Sequence, residues 1–117
     1  MVKNTRVKPL PVVGDDPCCA TPVPGTLTPE RAGQLAEQLR ALADPSRLRM
    51  LDLLAQQPGP LCVCDITTQF PQHQPTISHH LRLLREAGLV DCEKRGVWTY
   101  YWATDAGKHA LTIIENL

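Results

Sequence analysis

Cysteines are the residues of this 117-residue chain best suited to chemistry, and their spacing divides the five of them. Cys18 and Cys19 are adjacent, Cys62 and Cys64 are one residue apart, and Cys92 stands alone. A thiolate is a soft ligand and an oxidisable group, so close pairs read as ion ligands or redox sensors. Met1–Arg6 is not followed by the apolar run of a secretory signal, so the chain is expected in the reducing cytoplasm. There cysteines read as ligands, sensors or core residues rather than disulfide staples. Cys92, in a strand pattern, reads as core. No stretch has the apolar length that crosses a bilayer, and no membrane partner is expected.

A second group of residues is suited to hydrogen bonding on nucleic acid. Gln74, Thr76, Ser78, His79 and Arg82 cluster at the start and on the outer face of one helical pattern, and all of them can reach base edges or phosphates. Lys94 and Arg95 fall at a hairpin tip, where they suit phosphates or a minor groove. Twelve basic and twelve acidic side chains leave the chain neutral, so bulk charge lends no support and a local basic face is required. Any amphipathic helix also has a polar face, and that plainer reading stays open from these residues alone. No Ser-His-Asp, carboxylate-pair or phosphate-loop constellation is present, and no enzyme is expected.

These residues need elements to position them. Residues 1–27 hold five of the eleven prolines, which excludes a sustained helix or central strand, and read as an arm carrying Cys18 and Cys19. Residues 28–117 read as one folded domain, mainly α with a small β-hairpin. Thr28-Pro29-Glu30 starts a first helix with Leu35, Leu39 and Leu42 as its apolar stripe, and Asp44-Pro45 starts a second with Leu48, Leu51 and Leu54. A third helix is predicted over 64–70, then a turn over 71–74. Pro75 opens a fourth helix whose inward face is Ile77, Leu81 and Leu84 and which ends at Gly88. Residues 89–94 and 97–103 read as strands around a turn at Arg95-Gly96. Thr104-Asp105 starts a last helix with Ala110, Ile113 and Ile114 as its apolar positions. The order is that of a winged helix-turn-helix.

Several blocks then resemble one family. Leu42-Ala43-Asp44-Pro45-Ser46-Arg47-Leu48-Arg49, Leu61-Cys62-Val63-Cys64-Asp65-Ile66 and Gln74-Pro75-Thr76-Ile77-Ser78-His79-His80-Leu81 resemble the ArsR/SmtB metal-responsive repressors. Leu84–Val90 and Gly96–Tyr101 are similar too, so that the resemblance covers residues 30–117. It implies a homodimer paired through the first and last helices, bound to a two-fold symmetric double-stranded operator and released by an inducer.

Cys62-Val63-Cys64 resembles the thiol motif of the arsenic-responsive branch, which implies As(III), or Sb(III), as inducer and no organic cofactor. Where the best-known form of that motif has a third cysteine, this chain has Thr67. Cys18-Cys19 resembles the vicinal pair that other arsenic-sensing members carry in an N-terminal arm, which implies a third sulfur from there. Asp105 is followed by Gly107 rather than by a histidine two residues on, which speaks against the family's zinc arrangement in the last helix. A cadmium- or lead-responsive repressor, a thiol redox-sensing repressor, and cysteines that are merely small buried hydrophobes are the alternatives.

Overall fold

The computed structural model describes residues 25–117, so Cys18, Cys19 and nearly all of the predicted arm lie outside the described residues. Five helices and three strands follow in chain order: α1 Pro29–Leu42, α2 Pro45–Ala55, β1 Leu61–Cys62, α3 Val63–Thr67, α4 Gln74–Glu86, β2 Val90–Arg95, β3 Trp98–Ala103 and α5 Asp105–Glu115. The strands form an antiparallel sheet in the order β1-β3-β2.

Local chemistry starts the helices where the sequence indicates. Thr28 Oγ1 accepts from the Arg31 N–H at 3.1 Å, and Asp44 Oδ2 accepts from the Arg47 N–H at 3.0 Å, each followed by a proline at the helix start. The Arg47 N–H, with the nearby guanidinium, holds the Asp44 carboxyl below the usual carboxylate range. Thr104 Oγ1 accepts from the Gly107 N–H and donates to the Gly88 carbonyl at 2.7 Å, tying the start of α5 to the end of α4. Gly88, at φ 79°, supplies the left-handed turn that ends α4.

The core is apolar. Met50, Leu51 and Leu54 of α2, Ile66 of α3, Ile77, Leu81 and Leu84 of α4, and Leu89 and Val90 are almost fully enclosed. No charged side chain is buried among the described residues, and Cys62 is the one thiol there that is. The predicted inward face of α4 is the observed one. Gln72, in the turn before α4, donates from Nε2 to Ser46 Oγ at 2.8 Å and ties that turn to α2.

Four expectations need correction, and one element is additional. The third helix is Val63–Thr67 rather than 64–70; Phe70 lies beyond it, buried under the Arg49 guanidinium 4.7 Å from its ring centre. Leu61-Cys62 is a strand, which no period-two pattern signals in only two residues. The hairpin turn is Gly96-Val97 rather than Arg95-Gly96, because Gly96 at φ 64° takes the first central position of a two-residue turn. On α5 it is Leu111 that is buried, with Ala110 and Ile114 only partly so and Ile113 53% exposed. On α1 only Leu42 of the predicted stripe enters the core, and Leu39 is 60% exposed. The two leftover apolar faces meet: Leu35, Leu39, Ala110, Ile113 and Ile114 line an open cleft of about 420 Å³ between α1 and α5.

Gly107 is the most closely packed of the described glycines. A Cβ there would collide with the Leu89 carbonyl oxygen and come within 3.0 Å of Leu51 Cδ1. Alanine ordinarily gains about 1 kcal/mol over glycine inside a helix, but overpacking costs about 1–3 kcal/mol and here meets backbone, which cannot swing away. Gly107→Ala is therefore expected to lower stability by at least about 1 kcal/mol, measured as the denaturant midpoint at unchanged slope. A midpoint equal to or above that of wild type would show that α5 shifts freely.

Candidate functional site

The thiols of Cys62 and Cys64 converge, with Sγ atoms 2.7 Å apart. On a regular helix, side chains two residues apart point about 200° from one another and cannot meet. Here Cys62 is extended (φ −63°, ψ 142°) and ends β1, and it is also the residue that caps α3. The chain passes from strand to helix between the two sulfurs, and that change of direction turns them together. An ion bridging two thiolates at about 2.3 Å each holds the sulfurs roughly 3–4 Å apart, so a small opening suffices. Cys62 is buried and Cys64 half-buried. The hydrogen bond shared with Cys62, then burial and the charges of Cys62 and Asp65, push the Cys64 thiol up, so capturing an ion there would displace a proton.

Among the described residues no third ligand lies nearby. Thr67 Oγ1 donates to the Val63 carbonyl at 2.8 Å and is turned back onto its own helix. Cys62 lies opposite Tyr100 and hence Glu93, whereas Cys92 lies opposite Tyr101 and hence Leu61. Paired residues of an antiparallel sheet share a face and neighbours along a strand alternate, so Cys92 points to the other side. Cys92 is half-buried beside the Tyr101 phenol rather than in the core. No group of three Cys, His, Asp or Glu side chains placed to hold a metal occurs among the described residues.

On α4 the polar residues sit where the inward face leaves them. Gln74, Thr76, His79 and Arg82 are exposed and Ser78 is half-buried. The Arg82 guanidinium donates to His79 Nδ1 at 2.7 Å and lies 3.5 Å from Glu86, so that His79 and Arg82 form one ordered donor pair. His80 instead accepts from Arg47 through Nδ1 at 3.1 Å, and Arg47 also donates to the Ala41 carbonyl at the end of α1. The wing carries exposed Lys94 and Arg95 at its tip, with the Arg95 guanidinium 3.5 Å from Glu93 and 4.9 Å from the Tyr100 ring centre. Arg85 and Tyr101, which the sequence pattern did not single out, border the same surface. Spacing signals the first, since Arg85 lies at i+7 from Ser78 on one helix face.

Known proteins resemble this chain in sequence and in fold. The family described as "Bacterial regulatory protein, arsR family" matches residues 44–91. An uncharacterized HTH-type transcriptional regulator of Methanocaldococcus jannaschii is 45% identical over 89 residues, 75% of this chain and 99% of that protein. An arsenical resistance operon repressor of Staphylococcus aureus is 41% identical over 86 residues, 72% and 77% of the two chains. A cadmium resistance transcriptional regulatory protein CadC homolog from the same species is 34% identical over 82 residues, 70% and 65% of the two. The solution structure of a homodimeric winged helix-turn-helix DNA-binding domain from Mycobacterium bovis, a possible ArsR-family regulator, superposes with a TM-score of 0.67 at 30% identity, covering 77% of this chain and 85% of that one.

Two outcomes are expected from this geometry. His79→Ala and Arg82→Ala should weaken binding to a duplex selected on wild-type protein, and a Lys94→Ala, Arg95→Ala double variant should weaken binding to any duplex and flatten its salt dependence. Wild-type affinity in all three, by fluorescence anisotropy, excludes this surface. Separately, the pH midpoint for alkylation of Cys64 should fall in a Cys62→Ser variant, because the principal cause of its upward shift is gone. An unchanged midpoint would mean that the two thiols do not interact.

Proposed function

The chain belongs to the arsR family of bacterial regulatory proteins, DNA-binding transcriptional repressors rather than enzymes, and we propose that it binds a two-fold symmetric operator as a homodimer and leaves it when cysteine thiolates capture As(III) or Sb(III). The observation that carries the reading is the convergence of Cys62 and Cys64 at the junction of β1 and α3. Two soft sulfurs aimed at one point suit a thiophilic ion and no hard one. The third sulfur is assigned to Cys18 or Cys19, since Thr67 and Cys92 both face elsewhere.

The position of the pair supplies the coupling. Cys62 belongs to the strand that pairs with β3 of the wing and caps the helix that leads into α4. Cys62 and Cys64 drawn toward a third thiolate would therefore pull on wing and helix-turn-helix together. Operator binding by a dimer depends on the spacing of two recognition helices, so a small rotation of each is enough to weaken it. Dimerisation itself is supported by the cleft of Leu35, Leu39, Ala110, Ile113 and Ile114, an apolar face that the described residues of one protomer leave open.

Two alternatives share this geometry. Cadmium or lead suits the same sulfurs, and the short Sγ–Sγ approach also favours a redox sensor in which the pair closes to a disulfide. An anisotropy titration of duplex-bound protein under reducing conditions separates them. Cys62→Ser and Cys64→Ser should hold DNA like wild type yet resist release by arsenite, with potency lowered at least about tenfold. A Cys18→Ser, Cys19→Ser double variant should resist likewise, and Cys92→Ser should respond normally. Release of the Cys62 and Cys64 variants at the wild-type arsenite concentration would refute the site. A normal response in the arm variant alone would move the third ligand elsewhere. Release by cadmium but not arsenite, or by an oxidant but no ion, would select the respective alternative.

A further inference from the structure

One flank of α4 overlaps the base-reading surface at Ser78 and Arg82 and continues past it, outside the core, to Arg85. Ser78, Arg82 and Arg85 follow at i, i+4 and i+7 and so line up along the helix toward the wing. Tyr101 of β3 stands across from them, and together with Pro75 and His79 they line a concavity of about 430 Å³ between helix and wing. Its lining is a hydroxyl, two guanidiniums, an imidazole and a phenol. The carboxylates at its edge are Asp91, 3.6 Å from Arg85, and Glu86, 3.5 Å from Arg82. All four charged side chains are more than half exposed, so these pairs are weak and either guanidinium can turn to another anion. Burial, reinforced by Cys92 and opposed by Arg85, pushes the Tyr101 phenol up, which keeps it a hydrogen-bond donor at neutral pH.

We propose that this concavity seats one phosphodiester of the DNA backbone, held by Arg85 and Tyr101 between the recognition helix and the wing. The proposal rests on the DNA-binding reading and extends it to a contact independent of sequence. Phosphates border both edges of the major groove, so a helix lying in that groove has backbone on each flank, and the Ser78–Arg82–Arg85 face addresses the wing-side flank. A planar guanidinium matches two phosphate oxygens at once, and the phenol adds a third donor. His79 and Arg82 belong to both surfaces, so base reading and phosphate seating are continuous. Asp91 acts as the resident competitor: a phosphate that takes Arg85 leaves this carboxylate with the Cys92 N–H as its remaining partner and no cation, which restrains binding to arbitrary DNA.

The test is anisotropy on the full chain between about 50 and 200 mM salt, using a duplex selected on wild-type protein and a scrambled duplex of equal length. Arg85→Ala should weaken binding to both duplexes alike, by about tenfold, and reduce the slope of log affinity against log salt by about one per protomer. Arg85→Gln, which keeps the stem, should do the same, and Arg85→Lys should restore the slope but only part of the affinity. Tyr101→Phe should cost a few-fold on both duplexes at unchanged slope, and Asp91→Asn should tighten both. Wild-type affinity and slope in Arg85→Ala, with Arg82→Ala impaired, would overturn the seat and leave the DNA-binding reading standing. Failure of the wild type to bind any duplex would overturn that reading itself. Inorganic phosphate that binds through Arg85, in a protein whose duplex affinity does not depend on Arg85, would mark a free-anion site and also overturn the proposal.

Discussion

Burial of Ile77, Leu81 and Leu84 fixes the rotation of α4 about its own axis, and the rest of the surface chemistry depends on that angle. Enclosing such side chains stabilises by about 1.5–3 kcal/mol each, whereas the exposed pairs of Arg82 with Glu86 and of Arg85 with Asp91 are worth about 0–1 kcal/mol. Packing therefore overrules the ion pairs in deciding which way the helix faces. At 100° per residue, the consequence is that His79 and Glu86 look outward while Ser78, Arg82 and Arg85 look toward the wing. The polar residues of α4 do not orient the helix; they occupy the directions that the core leaves to them.

A similar dependence operates at the thiols. Two cysteines separated by one residue converge because β1, only two residues long, is held extended by β3 while α3 begins at the very next residue. The pair is therefore as rigid as the strand pairing that supports it, and it is wired to both neighbours of α4, the wing and the preceding helix. The thiol pushed up at Cys64 sets a condition on the proposed capture: an ion bound there would displace a proton, so binding would be favoured as pH rises.

The outer faces of α1 and α5 add little to the core of the single protomer. At Gly107 the start of α5 presses on the Leu89 carbonyl, and the Thr104 hydroxyl holds the Gly88 carbonyl, but the far half of α5 shows Ile113 to solvent. Along α1 the same holds of Leu39. Apolar residues that follow a helical period without entering their own core mark a face completed from outside, and the adjacency of α1 and α5 makes it one continuous face.

Much of the fold was legible in the chain itself, because the signals were local. Thr28, Asp44 and Thr104 are caps in sequence and in space, prolines mark two of those starts, Gly88 ends α4, and the period of Ile77, Leu81 and Leu84 identifies the recognition helix and its inward side. The residue types at 62 and 64 raised soft-ligand chemistry as an expectation. Tertiary structure decided what local signals cannot carry. A two-residue strand has too few residues to show a period, so β1, and with it the convergence of the sulfurs, exists only through pairing with β3. Periodicity on α1 and α5 shows that a face is apolar but not what covers it, so Leu39 and Ile113 were indistinguishable from core residues until the neighbouring elements were placed. Arg85 and Tyr101, sixteen residues apart on a helix and a strand, come together only when the wing folds back beside α4, since no spacing along a chain records a distance across a sheet.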